Sequence, residues 1–171
     1  MSNESLFPLL KSLKLNGLLS HLTETPETVD LKASEFELLK RLFNIELSYR
    51  EGRSFEYRLK IAKLPQIKTI EEFDFKNVPL KAEQFHKLSE CDFIKEKLNL
   101  LLIGGSGTGK THLALNLAYA ALVKNYRIRF YSFNDLVHSL LKAKTHHYEA
   151  NLMQHLERFQ LLVIDEMGYL P

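Results

Sequence analysis

The 171-residue sequence has no tryptophan, only five prolines, and a single cysteine, Cys91. One thiol excludes an internal disulfide framework and fits a reducing compartment. We expect Cys91 to be a small buried or half-buried residue rather than a reactive thiol. Neither sign of charge dominates: 23 Lys and Arg face 21 Asp and Glu, a net +2. Bulk charge therefore neither demands nor excludes a nucleic-acid partner, and any such case rests on local patches. No apolar run approaches the length of a membrane span. The N-terminal MSNESLFPLLKSLKL lacks the long apolar stretch of a signal peptide. The expected location is the cytoplasm, with no membrane partner. Repeats and low-complexity tracts are also missing. What is present, 45% hydrophobic and 26% charged residues, is a globular proportion at a length that can bury a core.

The pattern changes near residues 64 to 79, where Pro65 and Pro79 bracket a polar stretch. We expect a helical N-terminal domain over 1–64, a linker over 65–79, and an α/β portion over 80–171. In the first part, leucines at 6, 9, 10 and 13 predict a short helix ending near Asn16-Gly17, and Thr23 to Asp30 reads as a loop. Ser34 and Glu37 have capping-box spacing. Phe36, Leu39, Phe43 and Leu47 then give a helix one buried face, and a separate helix is expected from about Arg53 to Lys63. In the second part, a helix around Ala82 to Lys97 precedes LNLLLIGG, a continuous apolar run that reads as a strand buried on both faces. A helix over Lys110 to Lys124, a strand over 127–132, helices near 134–143 and 149–158, and a strand over 161–165 follow. Strands alternating with helices imply a parallel sheet covered by helices.

Gly104-Gly105-Ser106-Gly107-Thr108-Gly109-Lys110-Thr111 fits G-x-x-x-x-G-K-[ST], the phosphate-binding P-loop, in full. Glycines let backbone N–H groups turn inward around phosphates. The helix beginning at Lys110 points its positive end at them. Lys110 is placed to reach the β- and γ-phosphates, and Thr111 to offer its hydroxyl to magnesium. The ligand expected is ATP with Mg2+.

Asp165-Glu166 is the second element. Leu161 to Ile164 would carry the chain to the carboxyl edge of the sheet, where ligands bind in open parallel sheets. Asp165 would hold the magnesium, and Glu166 would polarise an attacking water. An Asp-Glu pair favours hydrolysis over a small-molecule kinase.

These motifs and their spacing resemble the AAA+ ATPases. GGSGTGKTHLALNLAYAAL, RIRFYSFNDLVHSL and LLVIDEMGYLP resemble the IstB-type transposition helper ATPases, relatives of the DnaC-type replicative helicase loaders; TIEEFDF and LKLNGL are similar too. The resemblance implies a P-loop, AAA+-like parallel sheet with flanking helices behind a small all-α N-terminal domain. It implies an ATP-bound homo-oligomer on double-stranded DNA that serves a transposase, or a replicative helicase in the loader reading. It also implies further strands, a sensor residue, an arginine finger and a helical lid after the second motif. The chain stops at Pro171. The expectation is therefore a chain truncated after that motif, with strands 99–103 and 161–165 flanking an unfilled gap and turnover left open. A catalytically inert nucleotide- or DNA-binding remnant is the alternative from another class.

Two basic patches are candidate DNA contacts. Arg50, Arg53, Tyr57, Lys60 and Lys63 recur at helical intervals, and residues 50 to 68 hold six Lys or Arg against two Glu, a local +4. Lys142, Lys144, His146 and His147 occupy the connection before the last helix, in a stretch free of acids from Leu136 to Tyr148. A solvated helix face or an exposed loop would carry the same charge. Phe73 and Phe75 precede the nucleotide core, where they could cover an adenine or simply pack between domains.

Overall fold

The computed structural model describes residues 6–25, 32–70, 73, 75 and 82–168. The chain divides into two compact units, Met1–Ser54 and Phe55–Pro171. Of the expected linker at 65–79, residues 71, 72, 74 and 76–79 lie outside the described residues, as do residues 26–30 of the expected loop.

The first unit is helical. Helix α1 (Phe7–Ser12) carries Pro8 in its first turn, where a missing N–H costs nothing. Leu6, Leu10, Leu22 and Phe36 are buried together, with Phe7, Leu9, Leu15, Leu19 and Phe43 packed around them. Asn16-Gly17 does not end the helical region. It opens a second helix, α2 (Asn16–Glu24), whose Leu22 supplies part of that core. Helix α3 (Ala33–Ala62) then runs for 30 residues. Its start differs from the expected capping box, because Ser34 already lies in the first turn. The Lys32 N–H donates instead to Glu35 Oε2 at 2.9 Å. The two helices expected around Gly52 are one, since a single glycine costs about 1 kcal/mol in a helix interior and packing outweighs it.

The second unit holds the α/β portion. The helix expected over 82–97 is broken into α4 (Ala82–Ser89) and α5 (Asp92–Lys95). Cys91, at φ +61, turns the chain between them and is fully buried. Its thiol donates to the Ser89 carbonyl, and burial raises its pKa above the ordinary 9.0. Helix α6 (Lys110–Val123) follows the glycine-rich loop and is buried on most sides. Strand β1 (Ile128–Ser132) leads into α7 (Phe133–Thr145), whose N-terminus is capped by the Ser132 hydroxyl accepting from the Asp135 N–H. Helix α8 (Glu149–Leu156) and strand β2 (Leu161–Asp165) complete the described elements. β1 and β2 pair in parallel, Ile128 opposite Leu161 through Ser132 opposite Asp165. The core of this unit joins Ala62, Cys91, Phe93, Ala118, Ala121, Leu122 and Ile128, with Leu161 and Val163 packed against it.

The sheet among the described residues thus has two strands, not three. Residues 99–103, expected as a buried strand, make no ladder, and Leu101 and Ile103 are 76% and 90% exposed. An apolar run becomes a doubly buried strand only when a neighbour supplies hydrogen bonds along its edge. Here Leu98 to Ile103 and β2 line the walls of one open cleft of about 870 Å³ and do not pair.

Candidate nucleotide site

The cleft is also lined by the loop and the first turn of α6. The loop enters that helix through Gly109, its N-cap, at φ +83. A side chain is strained there, and a Cβ would sit 2.8 Å from Cε2 of Phe73. Phe73 is held in turn by edge-to-face contacts with Phe75 and His112. It joins Phe75 around the buried Phe85, Leu113 and Leu117, a packing role within the second unit and not between the two units. Gly107, at φ +75, turns the tip of the loop.

Hydrogen bonds fix the loop's chemistry. Thr108 Oγ1 donates to the Gly105 carbonyl at 2.9 Å, and the Lys110 ammonium to the same carbonyl at 2.6 Å. Lys110 therefore folds over the loop that its helix starts from. At the far side, Thr111 Oγ1 donates to Asp165 Oδ2 at 2.8 Å, across 54 residues of sequence. The other carboxylate oxygen, Oδ1, accepts the N–H of Glu166 at 2.9 Å. Glu166 lies just past the end of β2 at φ +62, exposed to solvent. Parallel pairing with β1 carries Asp165 to the carboxyl edge of the sheet. Packing of α6 on the same core brings Thr111 to it.

Of the sequence-predicted site residues, Ser106, Gly107, Gly109, Lys110 and Thr111 line one cleft with the acids Asp165 and Glu166, while Gly104, Gly105 and Thr108 complete the loop behind them. Magnesium suits the two oxygen donors that meet there. It takes oxygen ligands, keeps several waters, and binds through one or two protein groups plus substrate phosphates. A hydroxyl and a carboxylate oxygen 2.8 Å apart fit that pattern, and among the described residues no group of three or more His, Cys, Asp or Glu forms a metal cage.

His112 was not legible as a site residue. It sits between Thr111 and the core with its Nε2 buried and without a hydrogen-bond partner. Its only sequence signal is its place one residue after the motif.

Among the DNA candidates, Arg50, Arg53, Tyr57 and Lys60 lie on one continuous helix, α3, as their shared spacing requires. Arg50 is occupied within the first unit, paired with Glu46 and donating to the Leu13 carbonyl at 3.0 Å. Arg53 is exposed on that unit, and Tyr57, Lys60 and Lys63 are exposed on the second. Lys142 and Lys144 are not in a connection: α7 continues to Thr145, so both stand in its last turn, where cations offset the helix dipole. His146 stacks on Tyr148. No helix among the described residues is long and apolar enough to cross a membrane.

Comparison with known proteins places this geometry in a family. The profile described as "IstB-like ATP binding protein" matches residues 8–171. The "Insertion sequence IS21 putative ATP-binding protein" of Pseudomonas aeruginosa is 34% identical over 165 residues, which is 95% of this chain and 62% of that protein. The corresponding proteins of IS232 from Bacillus thuringiensis subsp. berliner and IS5376 from Geobacillus stearothermophilus are 32% and 37% identical, over 95% and 88% of this chain. These matches cover 66% and 60% of the two relatives, so the chain spans less than two thirds of the length of each of the three. With its P-loop, its Asp-Glu strand end and a family match over nearly its whole length, the chain belongs to the IstB-like ATP-binding proteins.

Proposed function

We propose that this chain binds ATP with magnesium in the cleft at Gly104 to Thr111 and acts as an ATP-dependent helper of an insertion-sequence transposase on double-stranded DNA. The observation that carries the nucleotide part is the Thr111–Asp165 hydrogen bond, which joins the P-loop to the end of β2 at 2.8 Å. In the bound state the Lys110 ammonium leaves the Gly105 carbonyl for the β- and γ-phosphates, exchanging a neutral acceptor for anionic oxygens. Thr111 and Asp165 would hold the magnesium, whose positive charge would be supplied against the phosphate oxygens. Glu166, one residue beyond Asp165, orients the attacking water. The transposition role rests on the family and on relatives named for insertion sequences, which favour it over helicase loading.

A homo-oligomer on DNA belongs to the same reading, with Arg53, Lys60, Lys63, Lys142 and Lys144 as the cations exposed for phosphate contacts. Equilibrium titration with a fluorescent ATP analogue, with and without magnesium, tests the nucleotide site. Lys110→Ala is expected to lower affinity at least a hundredfold. Glu166→Gln is expected to keep affinity within a few-fold and to remove any hydrolysis. Equal loss of binding in both variants would refute the division of roles.

A further inference from the structure

Helix α3 is apolar on two opposite sides. Phe36 and Phe43 point one way, into the first unit's core, and Leu39 and Leu47 are half-buried on the same side. Leu38, Leu42, Ile45 and Tyr49 point the other way, and each exposes half or more of its surface. Their spacing is four, three, four, the alternation of a coiled-coil seam, with Leu42 and Tyr49 at a and Leu38 and Ile45 at d. Four exposed large side chains in one line are not the scattered singles of an ordinary surface. The seam ends where Gly52 takes the next d position and Glu56 the next a position.

The flanking charges identify what covers it. In this register Arg41 is at g and Glu46 at e, both exposed; Glu46 also pairs with Arg50 of its own helix, a weak exposed i, i+4 pair that can be shared with a second cation. In a parallel pair of helices, g of one faces e of the next heptad of the other, five residues on. Arg41 of one copy would thus meet Glu46 of the second, twice over by symmetry. A seam whose rim complements itself calls for a second copy of the same chain, as isologous contacts do. We propose that two copies of this protein associate through a parallel α3–α3 contact over Leu38, Leu42, Ile45 and Tyr49.

The contact is short. The four side chains offer roughly 400 Å² per copy, about half of what a standard interface takes from each partner. Leu at a with Ile at d is also not the arrangement that most favours two strands. The association is therefore weak and concentration-dependent. It is independent of the nucleotide-dependent assembly proposed above, so it persists in Lys110→Ala and without ATP.

Sedimentation equilibrium of the full nucleotide-free chain, from about 10 µM to about 1 mM, reads the association directly. The mass is expected to rise with concentration for the wild type and to stay monomeric for Ile45→Glu. Arg41→Glu alone, or Glu46→Arg alone, places like charges opposite each other and weakens association about tenfold. An equimolar mixture of those two single variants restores it, because each then meets its opposite. Circular dichroism confirms that the variants stay folded; the charge variants decide the matter if Ile45→Glu does not. A wild type monomeric throughout, association that survives Ile45→Glu in the folded protein, or no recovery in the mixture would each overturn the proposal. The second of these points to another surface, and the third to an antiparallel contact or a different partner.

Discussion

Gly109→Ala is the substitution that most directly tests how the loop is held. Two costs act at this position. The backbone lies at φ +83, in the left-handed region, where an L side chain costs about 1–2 kcal/mol. The added Cβ would also lie 2.8 Å from Cε2 and 3.1 Å from Cζ of Phe73. That ring cannot simply swing away, because Phe75 and His112 hold it at centroid distances of 4.8 and 5.1 Å. Forcing such a contact costs roughly 1–3 kcal/mol. The sum predicts a loss of about 2–5 kcal/mol, read by urea unfolding of the full chain. Nucleotide affinity should fall as well, since the backbone N–H groups leading into α6 rotate with residue 109. The two costs separate in a cycle with Phe73→Ala. Removing the ring leaves only the backbone term, so the double variant should be more stable than the sum of the singles by roughly 1–3 kcal/mol. Additivity within about 0.5 kcal/mol would refute the claim that Phe73 presses on the loop.

Two further outcomes follow from the structure. Burial raises the pKa of Cys91 above 9.0, so the folded state holds the thiol proton where the unfolded state has lost it. Its contribution to stability is complete below pH 9 and declines as the pH rises from there through the folded value; reaction with a disulfide reagent at pH 8 should be slow in the native chain and fast in urea, and equal rates would contradict the burial. For DNA, Arg53→Ala with Lys60→Ala should weaken duplex binding across sequences and flatten its salt dependence by about one unit of slope per lost phosphate contact. Arg50→Ala is unsuited to that titration, because it also removes the bonds to Glu46 and the Leu13 carbonyl; an unchanged slope in the double variant would remove this patch as a DNA contact.

What was legible in the sequence was what short-range chemistry decides. The glycines and Lys110 announced the loop and the start of α6, and Ser132 capped α7 close to its expected start. β2 fell on its expected bounds because its apolar run Leu161 to Ile164 lies between Gln160 and Asp165, and β1 fell within a residue because Ile128, Phe130 and Tyr131 have strand propensity and Ser132 caps the next helix. Misreadings came where the deciding partner is remote or the local signal is misleading. Gly52 looks like a breaker, yet α3 runs through it. Cys91 carries no turn signal, yet it adopts φ +61 and splits the helix around it. Residues 99–103 have the composition of a central strand, but a ladder depends on the neighbour and not on the run itself. The Thr111–Asp165 contact was foreseeable from two motifs that share one ion. The rest of Lys110 on the Gly105 carbonyl was not, since it depends on how the loop closes.

These differences bear on how the site works, because its two sides are held unequally. On the exit side, α6 packs through Ala118, Ala121 and Leu122 onto Ile128 and Val163, one core under both Thr111 and Asp165. The magnesium and phosphate contacts proposed for that side would begin from a fixed frame. On the entry side, the chain reaches Gly104 through 99–103, which makes no ladder and leaves Leu101 and Ile103 exposed. Ordering a free backbone residue costs roughly 1–2 kcal/mol. Even a few residues that settle only when nucleotide binds would draw several kcal/mol from the binding energy. The hydrogen bonds from Thr108 and Lys110 to Gly105 offset part of this by closing the loop on itself before any phosphate arrives. The proposed triphosphate binding can therefore stand on α6 and β2, while any turnover, which requires the whole loop to hold its geometry through the transition state, depends more on the entry that makes no ladder.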